Sequence, residues 1–190
     1  MREIIHLGLA LLIICAASAG ALTYINSATE PIIADRRAEE MAEGLKEVLA
    51  DVDQFEESSD LLEAAQAMPD LKELTGVYLG ISGGRQVGTV FRVEPIGYTQ
   101  EIVMLVGVSN AGGVTGVRIL EHLETPGLGS RIEEDWFLDQ YLGLEAGQDY
   151  YIDKDGGTID IISGATISCR SVTEGVNKAL RAHEALVEGH

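Results

Sequence analysis

The sequence predicts an α+β protein: a single N-terminal transmembrane helix, then one domain with an antiparallel sheet bracketed by helices. Three observations predict it. An uncharged apolar run occupies the N-terminus, four segments of period-two alternation follow one another across Gly-containing turns, and amphipathic helical stretches flank them. A chain of 190 residues suits one domain with a real core and is short for two.

The first element is the apolar run. Ile4 to Ile25 are 22 consecutive residues without a formal charge. A helix of that length spans about 33 Å, enough for a ~30 Å hydrocarbon core. Ten of the 22 are Leu or Ile, whose summed insertion energy is on the order of −5 kcal/mol. The small residues Ala16–Ala21 permit close approach to another helix. Two readings are open: an uncleaved anchor over residues 1–26, or a cleaved signal peptide with Ala17-Ser18-Ala19 as its processing site. The anchor accounts for the apolar run continuing past that site behind a single arginine. Cys15 lacks the small preceding residues of a lipoprotein signal and reads as packing.

The stalk helix, placed in residues 27–56, comes next. Met41, Leu45, Val48, Leu49 and Val52 form one apolar stripe, predicting a helix over 34–55. The domain proper is placed at 57–190. Within it, Gly76–Ser82, Gln86–Glu94, Glu101–Ser109 and Val114–His122 read as strands of a meander. Glu133–Leu142 reads as a helix, Thr158–Ile162 as a short strand, and Ser171–Val187 as an amphipathic helix started by a Ser171/Glu174 capping box.

Composition closes several function classes. Asp and Glu number 31 against 13 Lys and Arg, a net charge of −18, and residues beyond 26 carry all of it. Such a body cannot easily build the basic face that nucleic acid requires. Two cysteines, Cys15 and Cys169, form neither a disulfide framework nor a closed zinc site. No GxGxxG follows a strand to mark a nicotinamide site.

Two stretches stand out. In the first, Asp160, Ser163, Gly164, Ala165, Thr166 and Ser168 belong to a strand, a small-residue turn and a helix start. Backbone N–H groups and hydroxyls there offer an anion site favoured by the helix dipole. The second is the loop Glu124-Thr125-Pro126-Gly127-Leu128-Gly129, a tight non-helical turn able to bring backbone close to a flat ligand. Each alone is more often a structural turn. His122 and Glu124 have no evident nucleophile partner, so no catalytic residue is assigned.

Together the two stretches resemble the FMN-binding domains of respiratory membrane complexes. Within that family the chain is most similar to the G subunits of the Rnf ion-translocating electron-transport complex. It is more distantly similar to the C subunits of Na⁺-translocating NADH:quinone reductase. Gly97-Tyr98 shares in the likeness. The resemblance implies FMN joined through a phosphoester to Thr166 by a separate flavin transferase using FAD. Asp160, Ser163, Gly164 and Ala165 would then be the recognition sequence, with Ser168 completing the motif and residues 124–129 lying near the isoalloxazine ring. It further implies a single-pass protein of the cytoplasmic (inner) membrane with its domain outside the cytoplasm. Its partners would be the other subunits of the complex, relaying electrons between ferredoxin and NAD⁺ with Na⁺ or H⁺ movement. Two other readings stand beside it: a membrane-anchored extracytoplasmic flavin reductase acting on a soluble substrate, and a flavin-free assembly module. Cys169, after Ser168, departs from the hydroxyl residue expected there; beside a flavin a thiol is either a redox partner or inert packing.

Overall fold

The structure, a computed structural model, describes residues 2–186. The expected helix end at Val187 lies outside the described residues, as do the expected segment ends at 1 and 190. The chain divides into two compact units, residues up to Met41 and residues from Ala42 onward.

The first unit is helical, part of α1, Arg2–Val48. Leu7, Leu11, Leu12, Ile14, Leu22 and Ile25 are all exposed. A helix apolar all round with no protein covering it is what a bilayer solvates. It is the one helix among the described residues long and apolar enough to cross a membrane. Pro31 lies inside it, where it removes one backbone donor.

The second unit is an antiparallel meander with helices on both faces. Strands β1 (Gln54–Glu57), β2 (Leu74–Ser82), β3 (Arg85–Val93), β4 (Val103–Ser109) and β5 (Val114–Glu121) pair in chain order. The four expected strands are all present, with bounds close to those expected. Short Gly-containing turns explain the meander, because antiparallel neighbours need only tight connections.

One sheet face carries the main core. Phe91, Val93, Met104, Val106 and Val108 are fully buried beneath α4, Thr166–Leu186. Helix α4 meets them with Val172, Val176, Ala179 and Leu180, spaced as one helical stripe. Burying each Val or Leu contributes roughly 1.5–3 kcal/mol.

The other face receives the end of α1 through a row of glycines. Gly80 pairs with Gly88 across β2 and β3, and Gly107 with Gly116 across β4 and β5. A Cβ on Gly107 would stand 2.3 Å from the Val48 carbonyl oxygen, and one on Gly116 2.6 Å from the Val48 Cα. At Gly80 and Gly88 a Cβ would strike the Leu49 side chain, at 2.5 and 2.9 Å. The Thr115 hydroxyl donates to the Val48 carbonyl at 2.6 Å, satisfying an end-of-helix acceptor.

Four local expectations are corrected. The helix expected over 34–55 stops at Val48, because residues 54–57 extend and pair with β2; tertiary pairing overrides local periodicity. The strand expected at Thr158–Ile162 is reduced to one parallel bridge, Ile152 to Ile159. Its buried residues are Ile159 and Ile162, three apart, a spacing that a strand cannot send to one face. The helix expected at Glu133–Leu142 is a four-residue helix α3 (Asp135–Leu138) between 3-10 turns, since Glu134 is extended. Helix α4 starts at Thr166, before Ser171. The Ser171 hydroxyl, far from capping, lies within hydrogen-bond distance of the Ile96 and Ile167 carbonyls. Not foreseen was α2 (Ser59–Gln66), capped by the Ser58 hydroxyl accepting from the Leu61 N–H.

Candidate functional site: a cleft at the start of the last helix

The earlier start of α4 puts Thr166 itself at the helix N-terminus. Gly164 makes this possible. It holds φ +87°, a left-handed turn that L side chains rarely adopt, and a Cβ there would sit 3.0 Å from Leu128. The first N–H groups of α4 have no carbonyl one turn back to bond, so that end carries partial positive charge.

Opposite this terminus lies the 124–129 loop, held by a buried carboxylate. Glu124 is 5% exposed. Its Oε1 accepts from the Tyr98 N–H at 2.8 Å and the Thr99 N–H at 3.1 Å, and its Oε2 accepts from the Ser168 hydroxyl. One side chain thereby ties three segments together: the turn after Pro95, its own loop, and the first turn of α4. Glycine makes the room. A Cβ on Gly97 would lie 2.5 Å from Glu124 Oε1, and one on Gly129 2.7 Å from Oε2. Three donors to a buried carboxylate offset the cost of taking it out of water.

The three segments enclose a cleft of about 420 Å³, within the range of small-molecule sites. Of the expected residues, Glu124, Thr125, Leu128 and Gly129 line it from the loop. Gly164, Ala165, Thr166 and Ser168 line it from the helix start. Pro126, Gly127, Asp160 and Ser163 do not line it. Gly127 shapes the loop with φ +74°, its N–H donating to the Ser130 hydroxyl. Asp160 is tied through its backbone to the Gln140 amide, whose Oε1 accepts at 2.7 Å.

Three lining residues were not singled out as site residues: Tyr98, Lys154 and Ile167. Tyr98 is 67% exposed and, with Leu128 and Ile167, gives the mouth apolar faces. Lys154 donates from Nζ to the Thr166 hydroxyl oxygen at 3.1 Å. A lone lysine in an Asp-Lys-Asp turn carries no sequence signal of that encounter.

Cys169 is fully buried beneath the cleft, with Sγ accepting from the Ile162 N–H at 3.4 Å. Burial pushes its thiol above the ordinary value, which keeps it protonated and poorly reactive at neutral pH.

The groups present fit FMN. Hydroxyl, ammonium and helix N-terminus converge where a phosphate needs them, and Tyr98, Leu128 and Ile167 provide apolar surface for a flat ring system.

Comparison with known proteins follows the same line. The family described as FMN-binding domain matches residues 97–181, which span the whole cleft. The G subunit of the Na⁺-translocating ferredoxin:NAD⁺ oxidoreductase complex of Acetobacterium woodii is 33% identical, covering 97% of this chain and 94% of its own. The chain belongs to the family of G subunits of ion-translocating oxidoreductase complexes. Another relative, the G subunit of the ion-translocating oxidoreductase complex of Stutzerimonas stutzeri, is 31% identical over 94% of this chain and 80% of its own. In fold, the chain is similar to the C subunit of the Na⁺-translocating NADH-quinone reductase of Parabacteroides distasonis. That likeness has a TM-score of 0.54 at 18% identity, covering 71% of this chain and 77% of that one. The G-type family expected from the two motifs and the antiparallel fold expected from the alternating segments are thus both borne out.

Proposed function

We propose that this protein relays electrons through FMN joined by a phosphoester to Thr166, in a membrane complex of the ferredoxin:NAD⁺ oxidoreductase type. The observation that carries the reading is Thr166. Its hydroxyl stands at the N-terminus of α4, at the wall of the cleft, with the Lys154 ammonium 3.1 Å away. When bound, FMN supplies one- and two-electron redox chemistry. The chain's part is to hold and orient it: Thr166 anchors the phosphate, α4 directs its dipole at it, and Glu124 fixes the two loops around the cleft.

The attachment chemistry belongs to a separate flavin transferase with FAD as donor, which accords with the lack of a general base beside Thr166 among the described residues. Residues 1–26 serve as a single-pass anchor, and the acidic domain lies on the extracytoplasmic side of the cytoplasmic membrane. A tether there prevents loss of a cofactor that is not replenished. The apolar run holds no Asp or Glu between Ile4 and Ile25, so the ion path belongs to other subunits.

The test is the intact mass of the denatured protein from its native host, with peptide mapping. An increase of one FMN less one water on the peptide containing Thr166 is expected. The Thr166→Val variant should fold, lose the flavin and lose relay activity. Covalent flavin surviving in that variant would overturn the site, and a colourless wild-type chain from cells holding the transferase would overturn the relay.

A further inference from the structure

Lys154 differs from the Lys and Arg side chains of α4. The protein carries a net charge of −18, and the Lys and Arg side chains of α4 are engaged by carboxylates. Arg170 pairs with Asp155, Lys178 with Glu73 and Glu174, and Arg181 with Asp149. Lys154 lies between Asp153 and Asp155 in the chain. Among the described residues, no ion pair engages its Nζ, which points instead to the neutral hydroxyl of Thr166. It is also the one basic side chain among the described residues lining the cleft.

Its position is built rather than incidental. Lys154 sits on the 3-10 turn Asp153–Asp155, closed by Gly156 at φ +87° with its N–H donating to the Asp153 carbonyl. Gly157 packs so closely that a Cβ would stand 1.9 Å from the Tyr151 carbonyl oxygen. Asp155 then clasps Arg170 through both oxygens, at 2.7 and 2.9 Å. Arg170 lies one helical turn beyond Thr166, so the clasp locks the lysine's turn to the helix bearing the hydroxyl.

We propose that Lys154 acts in flavin attachment, as the group of this chain that stabilises negative charge at Thr166 Oγ1 while the phosphoester forms. This inference rests on the proposed attachment at Thr166 and deepens it. In the transfer, Thr166 Oγ1 bonds to the flavin-side phosphorus of FAD, and the bond from that phosphorus to the AMP oxygen breaks. AMP leaves with the electron pair, and the hydroxyl proton passes to solvent. Lys154 takes no part in moving that proton. Its ammonium lowers the cost of the anionic oxygen as the hydroxyl proton departs, and the same charge afterwards faces the single negative charge of the phosphodiester. An acidic domain otherwise repels the pyrophosphate of FAD, and Lys154 with the α4 N-terminus is the local exception.

The experiment uses the full-length chain in detergent, FAD and the host's flavin transferase, following the rate of FMN attachment by intact mass. Lys154→Met should lower kcat by about tenfold, a part of what a buried oxyanion donor contributes because this site is open to solvent. The KM for the chain should stay unchanged, Lys154→Arg should restore most of the rate, and Thr166→Val should not react. Because Lys154 is exposed, circular dichroism and thermal midpoint of Lys154→Met should match the wild type. Equal rates for Lys154→Met and wild type, or a rise in KM alone, overturn the role of Lys154 and leave Thr166 standing. A wild-type chain modified elsewhere, or not at all, overturns both.

Discussion

The second unit contains two seats built from glycine hydrogens, and they hold opposite kinds of group. On one sheet face, Gly80, Gly88, Gly107 and Gly116 make a trough for the end of α1, filled by backbone at Val48 and an apolar side chain at Leu49. At the cleft, Gly97 and Gly129 make room for the Glu124 carboxylate. The trough gains from van der Waals contact and apolar burial, which are individually small, summed over many atoms, and insensitive to direction. The cradle gains from three directed hydrogen bonds to one charge, where any donor removed leaves desolvation uncompensated. The trough therefore fails by being filled, and the cradle fails by being unsatisfied.

The trough is the place to expect the largest single effect. Gly107→Ala puts a Cβ 2.3 Å from the Val48 oxygen and 2.5 Å from the Thr115 hydroxyl, both parts of the same helix-end contact. Neither can move without lifting α1 from the sheet. The expected cost is about 3 kcal/mol, the upper end for overpacking. At about 3 °C per kcal/mol for a domain this size, the thermal midpoint should fall by roughly 10 °C. The cleft lies beyond the opposite face, so Thr166 modification should persist below that midpoint. A variant as stable as wild type would mean the trough is loose.

Glu124→Gln probes the cradle. The amide oxygen can keep the Tyr98 and Thr99 N–H groups, now as a neutral and weaker acceptor, while the amide nitrogen meets a Ser168 hydroxyl that must turn its own proton away to accept. A cost of about 1–3 kcal/mol is expected for the mismatch, smaller in midpoint than Gly107→Ala. Its signature is local: the Tyr98 and Thr99 amides should exchange hydrogen faster while those of β3 and β4 stay protected. Unchanged exchange at both amides would dissolve the idea that this carboxylate holds the cleft together.

The two seats also differ in how far the sequence reveals them. The cradle's carboxylate lies inside a motif, and its loop and the Thr166 turn are legible because Pro, Gly and hydroxyl residues crowd into few positions. The trough was not legible. Its glycines lie inside β2, β3, β4 and β5, where period-two alternation announces the strands while a glycine says only that something approaches closely. What approaches is Val48 and Leu49, far away in the chain, and local pattern holds no record of it. The same limit hid β1, whose first residues, Gln54 and Phe55, read as the end of a helix until β2 supplied a pairing edge. It hid Lys154 too, brought to Thr166 by the Asp155–Arg170 clasp and not by spacing.

That clasp offers the smallest effect and the sharpest contrast with the cradle, because it is a directed charge pair left in solvent. The hydrogen bonds from the Arg170 guanidinium hold the Asp155 carboxyl below its ordinary value of 3.8, against an opposing desolvation. A depressed carboxyl stabilises the fold above its ordinary range and loses that contribution as pH falls through the lowered value. Asp155→Asn should therefore lower the midpoint slightly at pH 7, and the gap to wild type should begin to close as the pH drops past 3.8 and vanish below the lowered value. Salt should shrink the same gap at pH 7, since an exposed pair is screened. The Glu124 cradle, buried and bonded on three sides, should show little response to salt. A gap at Asp155 that survives both acid and salt would place this pair with the cradle, as a structural bond and not as a solvent-facing guide for Lys154.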